Sequence, residues 1–215
     1  MINPKIKVCG MRDLNNIREL VKLKPDYIGF IFYEKSPRYI GKKIDAEILD
    51  AIPSSIKKVG VFVNASEREM KNIIVQNGLN MVQLHGNESP ELCQLIRLGG
   101  IEVVKAFSVD ESFDFHSIKS YQECCGYFLF DTKTPNYGGS GEQFNWSLLD
   151  KHTFTKPVFL SGGIGVEDAE KIVQLKNEDI KVIDINSRFE TEPGLKDIGA
   201  VKKFIELIMV QNNGN

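Results

Sequence analysis

The stretch F-L-F-D-T-K-T-P-N-Y-G-G-S-G-E-Q-F-N-W, Phe128 to Trp146, decides how the rest of the chain is read. Its apolar start, Tyr127 to Phe130, has the make-up of a strand buried on both faces and runs straight into an acid, Asp131. A carboxyl at the end of such a strand sits where burial raises its pKa and leaves a proton to donate. The loop that follows carries Gly138, Gly139 and Gly141, which let backbone N–H groups approach a ligand. Loops this long in a compact domain are usually lids or binding loops.

The same order, an apolar run followed by a polar loop, recurs on either side. Ile6–Cys9, Tyr27–Phe32, Val59–Val63, Met81–Leu84, Val103–Phe107, Pro157–Leu160 and Val182–Ile185 are mostly continuous rather than alternating, as strands of a parallel sheet are. Between them lie helical stripes: Leu14, Ile17, Leu20 and Val21; Met70, Ile73 and Ile74; then Val166–Val173 and Ile198–Ile208. Asp13, Ser66 and Ser89 stand where N-caps belong, and Gly78 and Gly99 at helix ends. Only Asp110–Gln122 shows weak periodicity. Right-handed β/α crossovers leave a closed eight-stranded barrel or an open doubly wound sheet. Cys9-Gly10-Met11-Arg12 is not the G-x-G-x-x-G of the open sheet, and eight repeats fit the barrel. The expected fold is therefore α/β, a single (β/α)8 TIM barrel over residues 1–210, with 211–215 a loose tail.

Composition narrows the partners. Basic and acidic residues nearly balance, 27 against 29, which gives bulk electrostatics no means to hold a nucleic acid. No apolar run approaches the roughly 20 residues that span a bilayer. The four cysteines lack Cys-x-x-Cys spacing, so neither a metal site nor a disulfide framework is expected, and the chain reads as cytoplasmic. Monomer and homodimer are both compatible with the sequence.

In such a barrel, function sits where strands end. Cys9, at the end of the first run, is either a small buried hydrophobe or a thiolate base; Arg12 and the helix starting near Asp13 are the expected activators. Its position favours the second reading. Cys93, Cys124 and Cys125 fall on helix or loop positions without a partner and read as structural. Asp131 either caps its turn or faces Cys9 as an acid across the barrel mouth. Gly162-Gly163 and Asn186-Ser187 follow the seventh and eighth runs, where barrels often bind phosphate through backbone N–H groups and a short helix. Arg38, behind a rigid Pro37, is either solvated or a fixed fork for a carboxylate or phosphate. His85 either lines the mouth or closes a turn.

Together these pieces resemble the phosphoribosylanthranilate isomerase family of tryptophan biosynthesis. The resemblance spans essentially the whole chain: Lys7-Val8-Cys9-Gly10, Gly29–Tyr33 with Ser36–Tyr39, Val59–Val63, Val82–Gly86, Asp131-Thr132-Lys133 with Gly138–Gly141, Ser161-Gly162-Gly163, and Glu190 with Pro193-Gly194 and Lys196-Asp197. One departure is Asn186-Ser187-Arg188-Phe189-Glu190, where the family commonly has Ser-Ser-Gly-Val-Glu; another is Ser161 for a common Ala. The resemblance implies a sugar-phosphate substrate, an Amadori rearrangement, Asp131 as general acid, Cys9 as general base, and no metal or organic cofactor. It implies Arg38 on the anthranilate carboxylate, Gly162, Gly163, Asn186 and Ser187 on the phosphate, and the loop with Gly138 and Gly139 as a lid. A histidine-pathway sugar isomerase on the same fold is expected to have Asp in place of Cys9. A non-catalytic phosphate-binding barrel has no reason to keep both Cys9 and Asp131.

Overall fold

Eight parallel strands close on themselves in the computed structural model, which describes residues 4–133 and 143–213. They are β1 (Lys5–Val8), β2 (Tyr27–Ile31), β3 (Lys57–Phe62), β4 (Met81–Leu84), β5 (Glu102–Val109), β6 (Tyr127–Thr132), β7 (Val158–Leu160) and β8 (Ile180–Ile185). Each pairs with its neighbour in sequence, and β8 closes on β1 through Lys5↔Val182 to Val8↔Ile185. The barrel reading holds, with strand edges within a few residues of those read from the apolar runs. Gly138, Gly139 and Gly141 lie outside the described residues.

The helices α1 (Leu14–Lys22), α2 (Ala46–Asp50), α3 (Glu67–Asn77) and α4 (Pro90–Leu98) follow the first four strands. Their starts are set by the side chains expected to cap them. Asp13 accepts from Asn16 N at 2.7 Å, Ser66 from Glu69 N at 3.2 Å and Ser89 from Leu92 N at 3.3 Å. Gly78 ends α3 in the left-handed region, φ 55°. Gly99 ends α4 with an ordinary φ of −73°, and Gly100 makes the left-handed step at φ 84°. After β5 the crossover is a 3₁₀ turn, Phe115–Tyr121, which explains the weak periodicity around Asp110–Gln122; the described residues after β6 hold a second, Trp146–Lys151.

A 3₁₀ turn Val166–Asp168 leads into α5 (Ala169–Val173), and α6 (Ile198–Asn213) closes the outer ring. The last helix, α6, runs through residue 213. A short antiparallel pair, β9 (Glu190–Glu192) and β10 (Leu195–Lys196), was not foreseen. Among the described residues no helix is long and apolar enough to cross a membrane.

Side chains fill the barrel in layers. Tyr27, Val59, Met81, Val104, Ala106, Leu129, Phe159 and Val182 form an apolar plug inside the strands. Gln83 and Asp184, two residues beyond Met81 and Val182, make a polar layer with Lys7 of β1, each at most 4% exposed. Another two residues along stand Cys9, His85 and the turn after β8, so the mouth rests on a buried polar floor rather than on aliphatic packing.

Candidate active site

The floor is one hydrogen-bonded chain. Lys7 Nζ donates to Asp184 Oδ2 at 2.6 Å and to Gln83 Oε1 at 2.8 Å. Gln83 Nε2 lies 2.8 Å from His85 Nδ1, and His85 Nε2 lies 3.1 Å from Asp131 Oδ2. The ammonium can only donate, so it holds the Gln83 carbonyl toward itself and turns the amide NH₂ toward the imidazole. Nδ1 must then accept, which puts the ring proton on Nε2 and makes His85 a donor to Asp131. The charge on Lys7 thus sets the tautomer of a histidine two hydrogen bonds away.

Asp131 occupies the mouth end of β6 with its side chain 13% exposed. Its second oxygen, Oδ1, accepts from Thr132 N at 2.9 Å. The turn after β7 presses against it. Gly162 has φ 95°, and a Cβ there would lie 2.7 Å from Thr132 N and 3.0 Å from Asp131 Oδ1. Only glycine both adopts that backbone and leaves the acid its place.

Cys9 follows β1 with its backbone N–H bonded to Ile185 O at 2.9 Å, and it is 4% exposed. The expectation of an Arg12-activated thiolate is corrected by the geometry. Arg12 Nη1 donates to Pro37 O at 2.9 Å in an exposed position. Burial pushes the Cys9 thiol above its ordinary value; Lys7 and Lys196 are the cations that pull against it. Lys7 keeps its proton more firmly than an ordinary lysine, because Asp184 and Cys9 outweigh the burial that opposes its charge. Asp184 Oδ1 has no hydrogen-bond partner among the described residues, so one acceptor on the floor is open.

Arg38 is 8% exposed and is not a free fork. Its Nε donates to Glu190 Oε1 at 2.9 Å and Oε2 at 3.0 Å, and its Nη2 to Oε2 at 2.6 Å. Those bonds fix the plane of the guanidinium through Nε and Nη2, and among the described residues Nη1 makes no hydrogen bond. Glu190 also accepts from Lys196 Nζ at 2.5 Å, and Lys196 reaches Asn186 Oδ1 at 2.8 Å. Burial works to raise Glu190, but Arg38 and Lys196 outweigh it and hold its carboxyl below the usual range. The β9–β10 pair exists to bring Glu190 and Lys196 under Arg38. Gly10, at φ 77°, admits this packing: a Cβ there would lie 2.8 Å from both Arg38 Cδ and Asn186 Oδ1.

The remaining candidates collect on the other side of the mouth. Gly163 follows Gly162, also with a left-handed φ of 59°, and its carbonyl accepts from Gln143 Nε2 at 2.9 Å and Arg188 Nη1 at 3.1 Å. Arg188 is further tied to Glu167. Ser187 opens the 3₁₀ turn Ser187–Phe189. Gly162, Gly163, Asn186, Ser187 and Arg188 therefore share the rim of β7 and β8. Sequence reading missed the roles of Lys7, Gln83, Asp184 and Lys196; the available signal was a lysine between Ile6 and Val8 in an otherwise apolar strand.

The model of the N-(5'phosphoribosyl)anthranilate (PRA) isomerase family matches residues 6–207. The N-(5'-phosphoribosyl)anthranilate isomerase of Parabacteroides distasonis is 45% identical over 205 residues, 95% of this chain and 93% of that protein. The crystal structure of phosphoribosyl anthranilate isomerase from Thermotoga maritima superposes with a TM-score of 0.84 at 35% identity, covering 96% of this chain and 99% of that one. A phosphoribosyl anthranilate isomerase in complex with reduced 1-(o-carboxyphenylamino)-1-deoxyribulose 5-phosphate gives a TM-score of 0.79 at 31% identity, covering 96% and 99%. This chain belongs to the N-(5'-phosphoribosyl)anthranilate isomerase family.

Proposed function

We propose that the chain converts N-(5-phosphoribosyl)anthranilate into 1-(2-carboxyphenylamino)-1-deoxyribulose 5-phosphate in tryptophan biosynthesis, with Asp131 as general acid and Cys9 as general base. The observation that carries this is the buried chain Asp184–Lys7–Gln83–His85–Asp131 beneath the mouth, with Cys9 beside Lys7 at one end and Asp131 at the other. The solved relative's ligand has the carbon skeleton of the proposed product.

Asp131 gives its proton to the ribose ring oxygen as the bond from C1′ to that oxygen breaks, and the anthranilate nitrogen supplies the electrons for a Schiff base. The carboxylate left behind accepts from His85 Nε2–H and Thr132 N–H, so both groups favour the donated state. Cys9 thiolate then takes the C2′ proton, the electrons moving into the Schiff base to form an enolamine. Protonation at C1′ and loss of the C2′ hydroxyl proton give the ketone, so the overall change is an isomerisation. The Schiff base is the electron sink, and no step calls on a cofactor. Lys7 and Lys196 supply the positive charge beside the thiolate.

Arg38, held by Glu190, offers Nη1 to the anthranilate carboxylate. Gly162, Gly163, Asn186 and Ser187 hold the phosphate, and Arg188 adds a cation where the family commonly has glycine. The loop with Gly138 and Gly139 closes over the substrate in this reading. The four free thiols agree with a cytoplasmic setting.

The test is loss of anthranilate fluorescence when the protein meets freshly made phosphoribosylanthranilate. Wild type should convert it, and Asp131→Asn and Cys9→Ala should each lose about 10²- to 10⁴-fold in kcat while staying folded. Near-wild-type turnover in either variant removes that residue from the mechanism; no turnover by wild type removes the substrate.

A further inference from the structure

Cys93 and the adjacent pair Cys124-Cys125, which the sequence leaves unpaired, come together in the fold. Cys93 lies on α4 and the other two on the link into β6, in the shell between sheet and helices rather than inside the barrel. They are 0%, 4% and 0% exposed, and their Sγ atoms all lie within 4.8 Å of one another. Cys124 Sγ and Cys125 Sγ are 3.9 Å apart.

We propose that these three thiols form a closed site for a single soft metal ion of low coordination number, Cu(I) in chemical class. A metal–thiolate bond of about 2.3 Å puts two ligating sulfurs roughly 3.8 Å apart in a tetrahedron and roughly 4.0 Å apart in a trigonal plane. The 3.9 Å pair already has that spacing, and the third sulfur needs to move in by less than about 1 Å.

The donor set selects the ion. All three donors are thiols, which favour soft ions, and hard cations need oxygens that the cluster lacks. Structural zinc takes four protein ligands, and among the described residues the cluster offers three. Water is a poor fourth ligand in a pocket whose ligands are this buried. A trigonal thiolate site for Cu(I) needs neither. The bound ion would pin α4 to the start of β6, a structural cross-link unconnected to the mouth chemistry.

The experiment uses the full reduced chain under anaerobic conditions, titrated with Cu(I) held as its bicinchoninate complex. Wild type should withdraw one Cu(I) per chain, with X-ray absorption giving three sulfurs at about 2.3 Å. Cys9→Ser, which alters the other thiol, should bind equally. Cys93→Ala and Cys124→Ala, each checked for a folded far-ultraviolet spectrum, should bind at least about 100-fold more weakly. The proposal is overturned by no withdrawal of copper, by binding that survives both alanine variants, or by binding lost only in Cys9→Ser. Two alanine variants are used so that misfolding of one leaves the other to decide.

Discussion

Replacing Gln83 by leucine tests whether the buried floor positions the acid or merely fills the barrel. Leucine has nearly the same volume, so the change removes hydrogen bonds without opening a large cavity. Two bonds go: the charge-assisted one from Lys7 at 2.8 Å and the one to His85 Nδ1 at 2.8 Å. The first contributes about 1.5–3 kcal/mol and the second about 1 kcal/mol, for a loss near 3 kcal/mol. Lys7 keeps Asp184 at 2.6 Å, so its charge is not orphaned and the cost stays well below that of breaking a buried ion pair. A barrel with ordinary stability of about 5–15 kcal/mol survives this.

The catalytic consequence is separate. Without the amide donor, His85 is free to take either tautomer, and the one lacking an Nε2 proton turns a lone pair toward Asp131. Losing a hydrogen bond to a developing carboxylate costs about 1.5–3 kcal/mol, or roughly 10- to 100-fold in kcat, with KM nearly unchanged. Gln83→Glu is the control. It restores an acceptor for Lys7 and hence most of the stability, and its carboxylate at Nδ1 favours a doubly protonated His85 whose Nε2–H still donates to Asp131, so kcat should recover. Urea midpoints and steady-state fluorescence kinetics on both variants make the comparison. If the leucine variant retains kcat within twofold, or if the glutamate variant stays as slow as the leucine one, the tautomer argument is refuted.

Further outcomes follow from the same geometry. Because burial raises the Cys9 thiol above its ordinary value of 9.0, kcat/KM should climb with pH through the alkaline range rather than level off near neutrality; Lys196→Met, which removes a cation pulling the other way, should move that limb higher still. A pH–rate profile checks both. Glu190 has a folded pKa below its ordinary 4.5, so it contributes stability that is present above that value and is lost as pH falls through the folded pKa. Urea midpoints taken from neutrality down to about pH 3 should therefore fall more steeply in wild type than in Glu190→Gln. Gly162→Ala should displace Asp131 as well as strain a φ of 95°, lowering kcat by at least about tenfold and stability by about 1–3 kcal/mol; a variant with wild-type kcat would show that the turn does not position the acid.

The sequence carried the scaffold because the scaffold is made of local signals. Continuous Val/Ile/Phe runs, side-chain caps such as Asp13 and a left-handed Gly78 are each decided within a few residues, so all of them are legible in order. The weak places were those where local signal is diluted, as in the 3₁₀ turn Phe115–Tyr121, which buries Ile118 alone of its seven residues. What the sequence could not display is pairing across the barrel. Lys7 and Asp184 are 177 residues apart and meet only because β8 closes on β1 in the register Lys7↔Asp184. A lysine inside an apolar strand says that something must neutralise it, since burying the charge alone is prohibitive. It does not say what. The same holds for Arg38, whose partner Glu190 lies 152 residues away on a β-pair that the sequence did not announce. In both cases a cation was assigned by proximity along the chain, Arg12 to Cys9 and Arg38 to substrate alone. The fold reassigns the first role to Lys7 and Lys196 and gives Arg38 a fixed plane. Closure of the barrel is thus what assembles these strand ends: it joins Asp184, Lys7, Gln83, His85 and Asp131 in one hydrogen-bonded chain and sets Cys9 beside Lys7.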